Sequence, residues 1–244
     1  LDSIYYYEEL FSKIYNDLKH KNLIDLLEKI ENPLSYVLMK MEFEGIKLDA
    51  DLIKETKEIF EFEINKLETK IYNISETEFN IASPKQLGEV LFEKLVLESN
   101  PKKTKTGQYS TSEDTLSKLA KKHEIIRLIL EWRSLQKLLT TYVYSLPKQI
   151  NPKSNKIHTE FNQTLTTTGR LSSTNPNLQN IPIRTDRGKL IRKSFIPKDK
   201  NYTLLCADYS QVELRIIAFL SGDSNMKNAS VSYTHLTLPT MIRV

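Results

Sequence analysis

The chain has 244 residues, of which 39% are hydrophobic and 27% are charged, and its formal net charge at pH 7 is +4. This composition is typical of a globular protein of one or two domains, and every apolar run is shorter than the roughly 18 residues that a membrane span needs. The single cysteine, Cys206, excludes an internal disulfide and fits a reducing cytoplasm, and its apolar neighbours predict that it lies in a core.

The beginning of the chain is predicted to be helical. Apolar spacing predicts one or two short helices over residues 1–31, and Pro33 is expected to end them because proline disfavours a helical residue before it. Gly45 is predicted to end a further helix in a left-handed conformation. The first residues lack Met and the layout of a secretion signal, so we expect them to come from the inside of a longer protein.

Two long helices are predicted in the middle of the chain. Their apolar residues recur at alternating steps of three and four, which predicts an antiparallel pair packed along a shared seam. The seam residues are Phe60, Ile64, Leu67, Ile71, Ile74, Leu128, Trp132, Leu135, Leu139, Tyr142 and Leu146. Between the two helices, Ser83 and Gln86 predict a capping box that opens a short helix to about residue 95. Residues 100–109 are predicted to form a basic loop.

After Pro147 the helical period stops. Short apolar runs at 157–161, 190–196 and 203–207 alternate with turn residues and predict a small sheet, so the fold class is α+β. The last run would bring Asp208 to the end of a buried strand. The residues that follow predict a helix over 211–220, which is apolar nearly all round and is therefore expected to be buried.

Two charge features favour a partner that carries phosphate groups. Residues 184–200 contain seven basic and two acidic residues. A carboxylate at a strand end, such as Asp208, is a hard oxygen ligand of the kind that divalent cations prefer. Considered alone, an aspartate in this position is more often a helix cap than a metal ligand. A basic segment that adjoins such a carboxylate shifts the balance toward phosphate.

Two sequence blocks carry a resemblance to a known family. Residues 168–182 read TGRLSSTNPNLQNIP, and residues 208–215 read DYSQVELR. In this order and at this spacing they closely resemble family A DNA polymerases of the bacterial DNA polymerase I type. The resemblance implies a right-hand polymerase fold, with a helical thumb hairpin and a partial palm sheet, truncated before the fingers.

The resemblance also implies a division of the chain. Residues 1–31 would be the C-terminal end of a 3′–5′ exonuclease-like domain, and residues 32–149 the entry into the palm together with the thumb. Residues 150–229 would be the first part of the palm, including the block 208–215, which resembles the family's motif A. Residues 230–244 match nothing that the family has at this point, so we expect an artefactual tail there.

The resemblance assigns roles in nucleotide and metal binding to motif A. Asp208 and the backbone carbonyl of Tyr209 would bind Mg²⁺ of a two-metal site, of which this chain has one carboxylate ligand. Glu213 would lie beneath the incoming sugar and exclude a 2′-hydroxyl, which selects deoxynucleoside triphosphates. Gln211 is expected near the nascent base pair.

The resemblance assigns DNA contacts to residues outside motif A. Arg170 would contact the minor-groove side of the terminal base pair and act in catalysis. Further primer-template contacts are expected at Asn177, Gln179, Arg184, Lys137, Thr140 and Thr141, and phosphate contacts also at Arg187 and Arg192. The implied activity is template-directed addition of deoxynucleotides to a primer 3′ end, in replication and repair.

Two other interpretations remain. A single-subunit RNA polymerase relative would share the palm, although Glu213 and the 168–182 block argue against it. A non-catalytic nucleic-acid-binding module would need no metal at Asp208. On the polymerase interpretation we expect a cytoplasmic monomer without membrane association, and we expect this incomplete chain to be inactive alone.

Overall fold

The computed structural model describes residues 2–232, with side chains described from residue 6 to residue 229. The chain divides into two compact units after residue 196. The predicted tail from residue 230 therefore lies mostly outside the described residues. The first unit contains the main hydrophobic core, and the second contains the motif A sequence.

The N-terminal helices continue through the proline that was expected to end them. Helix α1 is Asp2–His20, α2 is Ile24–Leu26, and a π-helical turn at Leu27–Glu31 leads into α3, Asn32–Glu44. The prediction for Pro33 is wrong because Pro33 lies in the first turn of α3, where its missing N–H costs little. Gly45, which follows α3, has a φ of 60°, as its predicted role requires, but a ψ of −173° outside the helical left-handed region.

The predicted antiparallel helical pair is confirmed. Helix α4 is Ala50–Ser75, and α7 is Glu124–Leu138, which a π-helical turn extends over Leu139–Val143. The Trp132 indole Nε1 donates to Glu68 at 2.9 Å, whereas the Tyr144 hydroxyl, later in the chain, donates to the earlier Glu61 at 2.6 Å. The two helices therefore run in opposite directions. We call them the helical pair.

The predicted seam forms the centre of the core. Phe60, Ile71 and Leu135 have no solvent exposure. The predicted seam residue Ile74 is 39% exposed, so the apolar buried seam of α4 ends at Ile71. Two shorter helices add to this core, α5 at Pro84–Glu89, with a π-helical turn at Val90–Lys94, and α6 at Glu113–Leu119.

Only half of the predicted capping box forms at α5. The Ser83 Oγ accepts from the backbone N–H of Gln86 at 3.4 Å, so Ser83 caps the helix as predicted. The Gln86 side chain accepts from the backbone N–H of Asn80 and not from that of Ser83. The predicted basic loop is closed by an antiparallel bridge between Lys103 and Tyr109.

Short strands form two small antiparallel sheets. Strand β1, Ile46–Leu48, lies between β2, Lys156–Ile157, and β5, Phe195–Ile196. Strands β3, Glu160–Asn162, and β4, Ser172–Thr174, pair in a second sheet. The predicted strand at 157–161 is therefore divided between two sheets.

The predicted strand at 190–196 is mostly a helix. Helix α8 is Asp186–Lys193, and only β5 after it is extended. The Thr185 Oγ1 accepts from the backbone N–H of Gly188 at 3.1 Å and caps α8, which favours the helix over a strand. Gly188 packs against the preceding segment so closely that a Cβ would lie 2.6 Å from the Pro182 carbonyl oxygen.

The second unit differs most from expectation. Residues 203–207 form no strand, and they are exposed, so the predictions of a buried strand and of a buried Cys206 are wrong. A strand needs partners for its backbone groups, and none of the described residues pairs with this run. Helix α9, Val212–Ser221, forms as predicted, and α10, Ser224–Ser232, packs against it. The predicted burial of α9 is also wrong, because Ala218 alone is buried.

Candidate nucleic-acid interface

One exposed face of the helical pair carries polar residues that the sequence suggested for DNA. Lys137 lies in the last turn of α7, and Thr140 and Thr141 lie in the π-helical turn after it, so all three share one side of the helix. All three are exposed, while the neighbouring residues Leu138 and Leu139 face the core. Among the described residues Lys137 has no ion pair, which leaves its ammonium group available to an anion.

A buried serine organises the loop after β4. The Ser173 Oγ donates to the Asn177 Oδ1 at 3.2 Å and accepts from the backbone N–H groups of Leu178 and Gln179. The Asn177 Oδ1 also accepts from the Gln179 N–H at 3.1 Å. These bonds fix the backbone that carries Asn177 and Gln179, both of which are exposed. Sequence reasoning missed Ser173, because nothing in its pattern distinguishes it from its neighbours.

The helical pair and this loop are joined by a tyrosine. The Tyr142 hydroxyl donates to the Asn180 carbonyl at 2.6 Å. Burial raises the pKa of Tyr142, so its hydroxyl keeps the proton that this bond uses. The sequence identified Tyr142 only as a seam residue and gave no sign of the contact.

The same junction contains an open recess of about 550 Å³. Thr141 and Asn177, predicted separately as DNA contacts, both line it. The other lining residues are Tyr142, Ser145, Leu146, Gln149, Asn175 and Pro176. The lining contains hydroxyl and amide groups but no charged side chain, which suits hydrogen bonding to neutral edges better than binding of a phosphate.

Arg170 lies in the exposed connection between β3 and β4. Gly169 before it has a φ of 74°, and a Cβ there would meet nothing within 4 Å, so glycine is favoured by conformation and not by space. The Thr166 Oγ1 donates to the Arg170 carbonyl at 2.6 Å and holds the backbone of the turn. The Arg170 guanidinium makes no ion pair with any described residue.

The basic segment from Arg184 onward has two kinds of arginine. Arg184 and Arg192 are exposed and have no ion pair within the described part of the chain. Arg187 instead contacts Glu63 and Glu131 on the helical pair, at 2.7 and 2.6 Å. Its guanidinium is therefore occupied by protein carboxylates, which argues against the predicted phosphate contact at Arg187.

The motif A residues are exposed in the second unit. Asp208 and Tyr209 lie in the irregular stretch before α9, Gln211 has a φ of 52° at the start of the helix, and Glu213 lies in its first turn. The Arg215 Nε donates to the Ser210 carbonyl at 2.9 Å.

The residues around Asp208 do not assemble a metal site. No group of three or more His, Cys, Asp or Glu side chains that could hold a metal occurs among the described residues. Asp208 supplies a hard oxygen, but stable binding of Mg²⁺ in a protein usually involves further ligands around it. The donor set seen here therefore does not fit a two-metal centre.

A second cavity, also about 550 Å³, adjoins the basic loop. Arg133 of α7 lines it, and the guanidinium donates to the Thr111 carbonyl and, at 3.2 Å, to the Thr111 hydroxyl. Burial lowers the pKa of Arg133, and the charge of Glu113 opposes that shift. Arg133 thus fastens the segment after the basic loop to the helical pair. The apolar spacing that predicts Trp132 in the seam carries no information about this contact, because Thr111 lies 22 residues earlier in the chain.

This chain is similar to known proteins in sequence and in fold. The model of the family described as DNA polymerase family A matches residues 50–234. This chain belongs to DNA polymerase family A. It is 48% identical over 222 residues to DNA polymerase I of Bacillus subtilis, and the aligned region covers 91% of this chain and 25% of that protein. It is 55% identical over 205 residues to DNA polymerase I of Caldicellulosiruptor bescii, covering 84% and 24%.

A solved structure resembles this family A chain. The POL domain of Pol1 from M. smegmatis, in complex with DNA primer-template and dNTP, matches with a TM-score of 0.77 and 38% identity. The match covers 88% of this chain and 37% of that one. Of the two DNA polymerase I relatives from B. subtilis and C. bescii, this chain spans about a quarter of the length. None of its described helices has both the length and the apolar character to cross a membrane.

Proposed function

We propose that this family A chain is part of a DNA-directed DNA polymerase, which extends a primer 3′ end with deoxynucleotides on a template strand, in replication and repair. The observation that carries the proposal is the recess at the junction of the helical pair and the loop after β4. It brings Thr141 and Asn177, from distant parts of the sequence, to the walls of one opening. Membership in the family supplies the reaction class.

In this proposal the helical pair is the thumb, and the small sheets belong to the palm. Residues 1–31 are the end of an exonuclease-like domain, and residues 150–229 are the first part of the palm. Lys137, Thr140 and Thr141 then face the duplex backbone from the thumb. We further propose that the working protein is a cytoplasmic monomer.

The chemistry of the exposed groups suits different parts of DNA. Lys137 and Arg184 are cations without described ion pairs and are suited to phosphates, where each contact releases a condensed counterion. Asn177 and Gln179 carry neutral amides and are suited to base and sugar edges near the primer terminus. Arg170 reaches the minor groove, where hydrogen-bond acceptors occur on every correct base pair.

Motif A carries the proposed chemistry. We propose that Asp208 and the Tyr209 carbonyl bind Mg²⁺ once the rest of the polymerase adds further ligands. Glu213 selects deoxynucleotides by occupying the space below the sugar, beside Gln211. Among the described residues Asp208 is the one carboxylate that we assign to this metal, and so we expect the 244-residue chain to bind primed DNA without extending it.

Primer extension by the full-length protein that contains this chain tests the proposal. Asp208→Ala should abolish incorporation of deoxynucleotides while DNA binding persists, and Asp199→Ala, another exposed carboxylate of the same unit, is the matched control. Retained extension in Asp208→Ala would contradict the assignment of motif A. Preferential incorporation of ribonucleotides by the unmodified protein would favour the RNA polymerase alternative.

Salt dependence of binding tests the DNA contacts separately. With about three to five phosphate contacts, log affinity of the 244-residue chain for a primed duplex should fall with log salt at a slope of about −3 to −4.5. Fluorescence anisotropy at several salt concentrations measures this slope. Binding that does not respond to salt would exclude the proposed phosphate contacts.

A further inference from the structure

One arginine joins three elements of the first unit. The Arg187 Nη2 on α8 lies 2.7 Å from the Glu63 Oε2 on α4 and 2.6 Å from the Glu131 Oε1 on α7. The Arg187 Nε also donates to Glu63, at 2.8 Å. The side chain is 29% exposed, whereas the other basic side chains of α8 point outward. Arg187 therefore connects the helical pair to the segment that leads into and through α8.

The charge of Arg187 compensates the two facing carboxylates of Glu63 and Glu131. Burial lowers the pKa of Arg187, but the hydrogen bonds and charges of Glu131 and Glu63 outweigh it and raise the pKa above its usual value, so the guanidinium stays charged. Both carboxylates contact the same nitrogen. Without the guanidinium, α4 and α7 would present two like charges to each other across a partly buried space, which is unfavourable.

The segment that Arg187 connects is the one that carries the candidate DNA contacts. Its beginning is attached to α7 by the neutral bond from Tyr142 to Asn180. Its middle is fixed by the close approach of Gly188 to Pro182. The ion pairs of Arg187 with Glu63 and Glu131 attach α8 to the helical pair. Arg184, one turn earlier, is exposed and without a described partner.

We propose that Arg187 is a positioning residue that acts as an ionic latch. It fixes residues 177–193 against the helical pair, so that Asn177, Gln179 and Arg184 meet the same duplex as Lys137 and Thr141. The latch itself follows from the contacts of Arg187. Its consequence for DNA rests on the proposed function.

Amide hydrogen exchange on the 244-residue chain tests the latch without DNA. In Arg187→Gln, exchange in α8 should become about three- to tenfold faster, as expected for the loss of a partly exposed, charge-assisted network. Lys189→Gln is the matched control, because it removes the same charge from the same helix and breaks only the exposed pair with Asp186. Its exchange should change by less than about twofold.

Two further variants separate the latch from a general loss of stability. Adding Glu131→Gln to Arg187→Gln removes one of the two facing carboxylates and should recover part of the protection. Arg187→Lys keeps the charge but not the planar fork, and should be intermediate. Equal exchange in Arg187→Gln and Lys189→Gln, or a double variant worse than Arg187→Gln, would overturn the latch.

DNA measurements test the consequence. In the full-length protein, Arg187→Gln should raise the KM for primed DNA about three- to tenfold beyond Lys189→Gln and leave kcat within about twofold, because the latch orients contacts and touches no reacting group. A matching fall in kcat would overturn the positioning role. If the unmodified protein does not bind primed DNA, the proposed function fails, while the exchange comparison still decides the latch.

Discussion

The helical pair and helix α9 are both rich in apolar side chains, but only the helical pair buries them. Phe60, Ile71 and Leu135 are fully buried, whereas Phe219 and Leu220 of α9 are 77% and 75% exposed. Both regions form the helices that their sequences predict. The difference shows that a helical pattern is a local property, while burial requires an apolar surface from elsewhere in the sequence.

The largest expected effect comes from truncating one leucine in each region. Leu135→Ala should lower the free energy of unfolding of the first unit by about 2 to 5 kcal/mol, because it leaves a cavity between α4 and α7. Leu220→Ala should change it by less than about 0.5 kcal/mol, because the side chain is exposed. Urea unfolding followed by the fluorescence of Trp132, the only tryptophan, measures both. Equal effects would contradict the difference in burial between Leu135 and Leu220.

Gly188 in the first unit should show how tightly helix α8 packs against the segment that contains Pro182. Gly188→Ala should destabilise by about 1 to 3 kcal/mol, because a Cβ would lie 2.6 Å from the Pro182 carbonyl oxygen. At an uncrowded helix position the same change would stabilise by up to about 1 kcal/mol. The sign of the shift in the urea midpoint therefore decides whether the close approach exists.

The hydrogen bond from Tyr144 to Glu61 makes the helical pair sensitive to alkaline pH. That bond, followed by burial and the negative charge, raises the pKa of Tyr144 to about 12 from a usual 10.0. A raised pKa stabilises the fold fully below pH 10, and the contribution is lost as pH rises toward 12.

Tyr144→Phe should cost about 0.5 to 1 kcal/mol at neutral pH, since the residue is partly exposed. Stability of the variant should also fall less steeply between pH 10 and 12. Tyr209→Phe is the control, because the side chain is 85% exposed, and it should change stability at neutral pH by less than about 0.5 kcal/mol. The same profile in Tyr144→Phe and the unmodified chain would refute the raised pKa.

The smallest effect on stability is expected on the surface of α9. Phe219→Glu should change the free energy of unfolding of the first unit by less than about 0.5 kcal/mol, because it alters an exposed side chain. It should, however, lower binding of an apolar dye and raise solubility, because it interrupts an exposed apolar surface. A large fall in stability would show that α9 is covered in solution.

Local features of the fold could be predicted from the sequence. The seam spacing predicts the helical pair, Ser83 predicts the cap of α5, and the apolar residues after Asp208 predict α9. These features depend on contacts within a few residues or on a regular period. The prediction for Pro33 is wrong because proline is tolerated in the first turn of a helix, and the sequence did not show where α3 begins. The strand prediction for 190–196 is wrong because the Thr185 cap favours a helix there.

Part of the candidate site could also be predicted. Lys137, Thr140 and Thr141 lie on one exposed face, and Thr141 and Asn177 line the same recess. The roles of Ser173 and Tyr142 could not be predicted, because their partners lie in loops whose course no local pattern specifies. Arg187 was assigned to phosphate from its basic segment and from the family resemblance, and neither carries information about Glu63 and Glu131.

The sequence by itself determined the helical pair, helix α9, the α+β class and the two blocks that resemble family A polymerases. Periodicity and motif order are properties of the chain, and they need no knowledge of its path in space. Only the tertiary structure decided which charges are paired, which loop faces the helical pair, and which apolar residues are buried. Those outcomes depend on contacts between residues far apart in sequence, such as Arg187 with Glu63, and these form only when the fold brings the partners together.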